Sequence, residues 1–91
     1  MAITVYIPAQ LRAYCSGAST LTVSAPTVRA ALTELEQTHP DLYRGVCDET
    51  DSVRRHLNLF VNTFHVRDLD GLETELRPGD ELTILPAVSG G

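Results

Sequence analysis

Few residues of this 91-residue chain could do chemistry, and the most unusual of them stand at its end. Gly90 and Gly91 occupy the last two positions; at a background glycine frequency of about 7%, such a pair arises in roughly one chain in two hundred. Glycine has no Cβ, so the pair can enter a slot too narrow for other residues. A terminal carboxylate, with a pKa of about 3.5, is ionised at neutral pH. Held against the α-phosphate of ATP, it would attack and become an acyl-adenylate. Chain ends with glycine also simply fray, and placement separates the two readings. An alternating strand pattern runs to Pro86, and Ala87, Val88, Ser89, Gly90 and Gly91 follow it as a short tail of mostly small residues. The chain therefore reads as a domain over residues 1–86 and a flexible tail over 87–91, presented to a partner.

Other chemistries fall away. His39, His56 and His65 are far apart and have no metal-ligand spacing, so no metal site is expected. Cys15 and Cys47 are too few for a disulfide framework and lie in no CxxC pair, which predicts reduced thiols in a cytoplasmic protein. There is no GxGxxG, phosphate loop or GxSxG elbow. The acid pairs Asp48/Glu49 and Glu73/Glu75 sit in polar stretches and read as solvated charge. The protein is expected not to be an enzyme by itself. A formal charge of −5 argues against nucleic acid as the primary partner, because that affinity rests on cations neutralising phosphates. No apolar run approaches the ~20 residues of a membrane helix, and the N-terminus opens on a strand pattern rather than a signal peptide. All seven basic residues are Arg, so the chain has no lysine side chain through which it could itself be extended.

The elements that would carry the tail follow from periodicity. Ile3, Val5 and Ile7 alternate on one face of a strand that Pro8 stops. Residues 8–18 read as a loop with its turn at Ser16-Gly17 and Leu11 as its anchor, and residues 20–25 as a second strand pairing antiparallel with the first. Val28, Ala31, Leu32 and Leu35 make one helical stripe over about 27–39, with Thr27 as the N-cap and His39-Pro40 as the stop. Residues 41–56 are a long connection, helical at its start, with Leu42, Tyr43 and Val46 as anchors. Leu57, Leu59 and Val61 alternate in a third strand, and residues 64–67 form a short fourth after a turn at Asn62-Thr63. Pro78-Gly79 has type II turn chemistry. In the last strand, Leu82 and Ile84 face away from Thr83 and Leu85. Hairpin, helix and further strands make an α+β two-layer domain of the β-grasp type, a mixed sheet with one main helix on one face. Its predicted core is Val28, Leu32, Leu35, Leu57, Leu59, Val61, Leu82 and Ile84.

These residues carry a resemblance. Ile3 to Ile7 with Pro8, Leu11-Arg12, Thr27-Val28, Leu32 and Leu35, Pro40, Asn58 to Asn62, Val66-Arg67, Arg77 to Leu82 and the tail Leu85 to Gly91 together resemble the ThiS/MoaD family of ubiquitin-like sulfur carriers. The long 41–56 connection is most similar to the CysO-type carriers of cysteine biosynthesis. The chain departs from that pattern at Thr63, Phe64 and His65, where the resemblance implies an acidic turn.

The resemblance implies a route. An E1-like enzyme using ATP and Mg²⁺ would adenylate the Gly91 carboxylate, and a sulfur donor such as a persulfide would convert it to a thiocarboxylate. An acceptor enzyme would then take the sulfur. In the cysteine branch, that acceptor uses pyridoxal phosphate, and a zinc peptidase later cuts the cysteine-tailed carrier. These cofactors belong to the partners; none is expected on this chain. Other destinations open at this point are the molybdenum cofactor, as the small subunit of molybdopterin synthase, and a sulfur-containing natural product. Conjugation to target lysines, as a protein modifier, is the alternative class.

Docking also needs a surface. With Leu57, Leu59 and Val61 turned to the helix, Phe60 points to the open side of the sheet, as do Tyr6 and Leu85 by the same alternation. These three are the expected partner-binding patch, with Arg67 and Arg77 as cations that could meet acids on a partner.

Overall fold

Local chemistry and structure agree over most of residues 2–86, which the computed structural model describes. Strands β1 (Ile3–Tyr6) and β2 (Thr20–Val23) pair antiparallel with Ile3 opposite Val23. Helix α1 spans Val28–Thr38, and the extended Thr27 caps it, its hydroxyl accepting the Ala30 N–H at 3.1 Å. A shorter helix α2 spans Pro40–Val46, with proline at its start, where a missing N–H costs no helical bond. Strands β3 (Leu57–Val61), β4 (Phe64–His65) and β5 (Glu81–Pro86) complete one five-stranded sheet in the order β2-β1-β5-β3-β4.

The last strand to be made is thus the middle strand of the sheet. β5 runs parallel to β1 (Val5 opposite Leu82) and antiparallel to β3 (Leu59 opposite Ile84). The turn into β5 is built as its residues require: the Asp80 N–H reaches the Arg77 carbonyl at 2.9 Å, with Pro78 and Gly79 between them and Gly79 at φ +89°. The Asp80 carboxylate accepts from the Arg77 N–H at 2.9 Å and the Asn62 amide at 3.2 Å, which holds its pKa below the usual carboxylate value.

All eight predicted core residues are buried in one cluster with Ile3, Val5, Leu42 and Val46. The register of β3 is as expected, with Leu57, Leu59 and Val61 buried and Asn58 and Phe60 only half-buried. Thr27→Ala removes one cap bond from α1 and is expected to cost about 1 kcal/mol, read as a lower urea midpoint with an unchanged slope.

Three expectations need correction. Residues 9–15 are not open loop but a 3-10 helix, Ala9–Cys15, ended by Ser16 and Gly17 at positive φ. It lies against α2 so closely that a Cβ on Gly45 would meet Leu11 Cδ2 at 2.9 Å. The fourth strand stops after two residues because Val66 turns inward as the start of a 3-10 helix, Val66–Asp68. Pro86 does not stop β5 but is its last residue, opposite Leu57; β1 pairs with β5 only as far as Thr83, so on that side no partner asks Pro86 for an N–H.

Candidate docking face and tail root

α1 covers one face of the sheet, and the other face carries the expected patch. Cross-strand pairing sets its rows: Tyr6 on β1 lies opposite Thr83 on β5, Thr83 opposite Phe60 on β3, and Phe60 opposite His65 on β4. One row below, Leu85 lies opposite Asn58. Tyr6 and Leu85 are 38% and 44% exposed, and with Phe60 they place apolar surface together on this face.

The three patch residues are not equivalent. The Phe60 ring is half-buried and packs edge-on against the His65 ring, with centroids 5.1 Å apart and planes at 67°. The Tyr6 hydroxyl donates to Glu81 Oε2 at 3.3 Å. The nearby Glu81 charge, foremost among the causes, raises the Tyr6 pKa, so the hydroxyl keeps its proton at neutral pH. Leu85 has no such tie and is the freest apolar group of the three.

The face continues to the root of the tail. Beside β5 lies an open groove of about 600 Å³ lined by Tyr6, Pro8, Arg12, Thr83 and Leu85. Arg12 is held in place by its Nε–H, which donates to the Ile7 carbonyl at 3.0 Å. Pro86 ends β5 at the same end of the sheet as the C-terminus of β1, since the two strands are parallel. Val88, Ser89, Gly90 and Gly91, the tail residues expected from the sequence to carry the acyl chemistry, lie outside the described residues.

The cations named from sequence are placed less specifically. Arg67 is exposed, lies in the 3-10 helix Val66–Asp68 that follows β4 and enters no ion pair among the described residues; its backbone N–H donates to His65 Nδ1 at 3.0 Å. Arg77 is exposed in the turn before β5. Both cysteines are buried, and burial pushes the Cys47 thiol up to about 11, which makes it a poor nucleophile. Among the described residues, no three His, Cys, Asp or Glu side chains come together as a metal site, and no helix is long and apolar enough to cross a membrane.

Sequence reasoning did not assign Asn58 and His65 to the site. Asn58 was within reach of it, since i,i+2 alternation puts it on the same face as Phe60. His65 was not, because its place depends on the length of the β3–β4 hairpin.

Known proteins share this fold. The chain matches the ThiS family over residues 5–91. It is 36% identical over 93 residues to the sulfur carrier protein CysO of Mycobacterium tuberculosis, with 100% of both chains covered. It is 37% identical over 65 residues to small archaeal modifier protein 3 of Haloferax volcanii, covering 71% of this chain and 70% of that one. Among solved structures, the Amycolatopsis orientalis BexX/CysO complex contains a chain that superposes with a TM-score of 0.88 at 38% identity, with 99% and 100% of the two chains covered.

Proposed function

This chain belongs to the ThiS family, and on that premise we propose that it is loaded with sulfur at the Gly91 carboxylate and delivers it to a biosynthetic acceptor enzyme. Proteins of this kind are substrates rather than catalysts. The observation that carries the reading is the extent of the family match: it includes both terminal glycines, and β5, paired on both sides, ends at Pro86, four residues before Gly90 in the sequence.

The chemistry runs in two displacements. A carboxylate oxygen of Gly91 attacks the α-phosphate of ATP on an E1-like partner and pyrophosphate leaves. Hydrosulfide, or the outer sulfur of a persulfide whose S–S bond a thiol reductant then cleaves, attacks the acyl carbon; AMP leaves with the oxygen, and a thiocarboxylate remains. What this chain supplies is position. The sheet fixes the tail root and the open face docks, so the carboxylate meets the phosphate at an effective concentration no free peptide reaches. ATP, Mg²⁺ and any pyridoxal phosphate or zinc act on the partner enzymes. Full-length similarity to CysO favours cysteine biosynthesis as the destination, in the cytoplasm, with a pyridoxal-phosphate acceptor and a zinc peptidase downstream. Tyr6, Phe60 and Leu85 form the contact face, with Arg67 at its margin. That a CysO is known in complex with BexX supports docking of the folded domain on a protein partner.

The test is intact mass. Incubated with its activating enzyme, ATP, Mg²⁺ and a sulfur donor, the protein should gain the mass of one oxygen-for-sulfur exchange at Gly91; an unchanged mass with an active enzyme would refute the reading. Leu85→Asp should weaken binding to the activating enzyme at least tenfold, by placing a charge where an apolar contact is desolvated. Thermal stability should stay close to wild type, because Leu85 points away from the core. The similarity to an archaeal modifier protein gives the second reading, conjugation through an isopeptide bond. Gel shifts of tagged protein in its own cells separate the two.

A further inference from the structure

We infer that Asn58 and His65 form a fixed hydrogen-bonding pair on the open face, in which His65 aims the Asn58 amide at an acceptor oxygen of the activating enzyme. His65 is a positioning residue and Asn58 the specificity-determining contact. The inference rests on the open face being the docking surface.

Both ring nitrogens of His65 are engaged. The Arg67 backbone N–H points at Nδ1 from 3.0 Å, so Nδ1 must be the acceptor. The proton therefore sits on Nε2, which is 3.0 Å from Asn58 Oδ1 and donates to it. The edge-on contact with Phe60 holds the ring plane. With Oδ1 used, the Asn58 amide nitrogen is directed away from His65 and has no acceptor among the described residues, beside Leu85 and Phe60. A half-buried amide donor set in an apolar patch discriminates strongly, since a partner lacking an acceptor there leaves it unpaired on docking. The occupant is the activating enzyme, and the chemistry it must offer here is an acceptor oxygen over Asn58 beside apolar surface against Leu85.

The test measures adenylation kinetics with the activating enzyme of the same organism, taking this protein as the varied substrate. His65→Phe keeps the aromatic packing and removes both ring hydrogen bonds; Asn58→Ala removes the amide. Each should raise KM about tenfold with kcat unchanged, and the double variant should be no worse than either alone, because both act through one amide. Independently of any variant, long-range ¹H–¹⁵N correlation spectra of the wild-type protein should show the Nε2–H tautomer alone. Additive losses, an unchanged KM or an Nδ1–H tautomer would overturn the inference. If Leu85→Asp is still defective in that case, the docking face stands without the pair. If Leu85→Asp is also unaffected, the face itself has been misassigned.

Discussion

One residue added after Gly91 is expected to abolish sulfur loading, by roughly 10²-fold or more, and leave the fold untouched. The magnitude follows from geometry. Reaction needs the carboxylate and the α-phosphate within about 3–3.5 Å, and a misplacement of ~1 Å already costs on the order of 10²-fold. An extra residue displaces the carboxylate by ~3.3–3.6 Å and turns the Gly91 carbonyl into an amide, a far poorer nucleophile. Removing Gly90 and Gly91 should fail equally, by leaving the tail short of the site. The fold should survive both changes because the buried core of the described residues ends at Ile84. Intact mass after incubation reads the first effect and a urea transition the second. Loading of the extended variant at the wild-type rate, with the extra residue still attached, would defeat the sulfur-carrier reading.

A second large effect should separate two neighbours on β5. Ile84 is 1% exposed and lies opposite Leu59 in the core; Leu85 is the next residue and faces the open side. Ile84→Ala should cost about 2–5 kcal/mol, from lost burial plus the cavity left in a core pinned by β1 and β3 on either side. For a domain of this size, where the whole stability is about 5–15 kcal/mol, that is a large fraction. Leu85→Ala should stay within about 0.5 kcal/mol and act on partner affinity instead. Urea midpoints and binding to the activating enzyme, measured on both variants, should move in opposite patterns. Equal destabilisation by the two would mean that Leu85 is core and that the open face is not a docking surface.

The same two residues show how far the sequence reaches. Period two over Glu81 to Leu85 assigns Ile84 and Leu85 to opposite faces without any knowledge of the neighbours, because a strand's side chains alternate whatever it pairs with. The stripe Val28, Ala31, Leu32 and Leu35, the Thr27 cap and the Pro78-Gly79 turn are legible for the same reason: each is written within a few consecutive residues. The Gly90-Gly91 tail is read from composition and position alone and lies outside the described residues.

Other features depend on which distant segment comes alongside, and no local pattern states that. Local pattern predicts a loop at residues 8–18, whereas the 3-10 helix Ala9–Cys15 is held by Leu11 packing against Gly45, more than thirty residues away. Val66 and Leu76 enter the core from a stretch with no periodicity. By itself, then, the sequence determined the two-layer fold, the faces of its strands and helix, and the tail that carries the proposed chemistry. Tertiary structure alone decided that β5 lies between β1 and β3, and that His65 meets Phe60 and Asn58 on the open face. Periodicity says which side a residue faces, whereas pairing between remote segments says what it faces, and the proposed docking surface is made of the second kind of information.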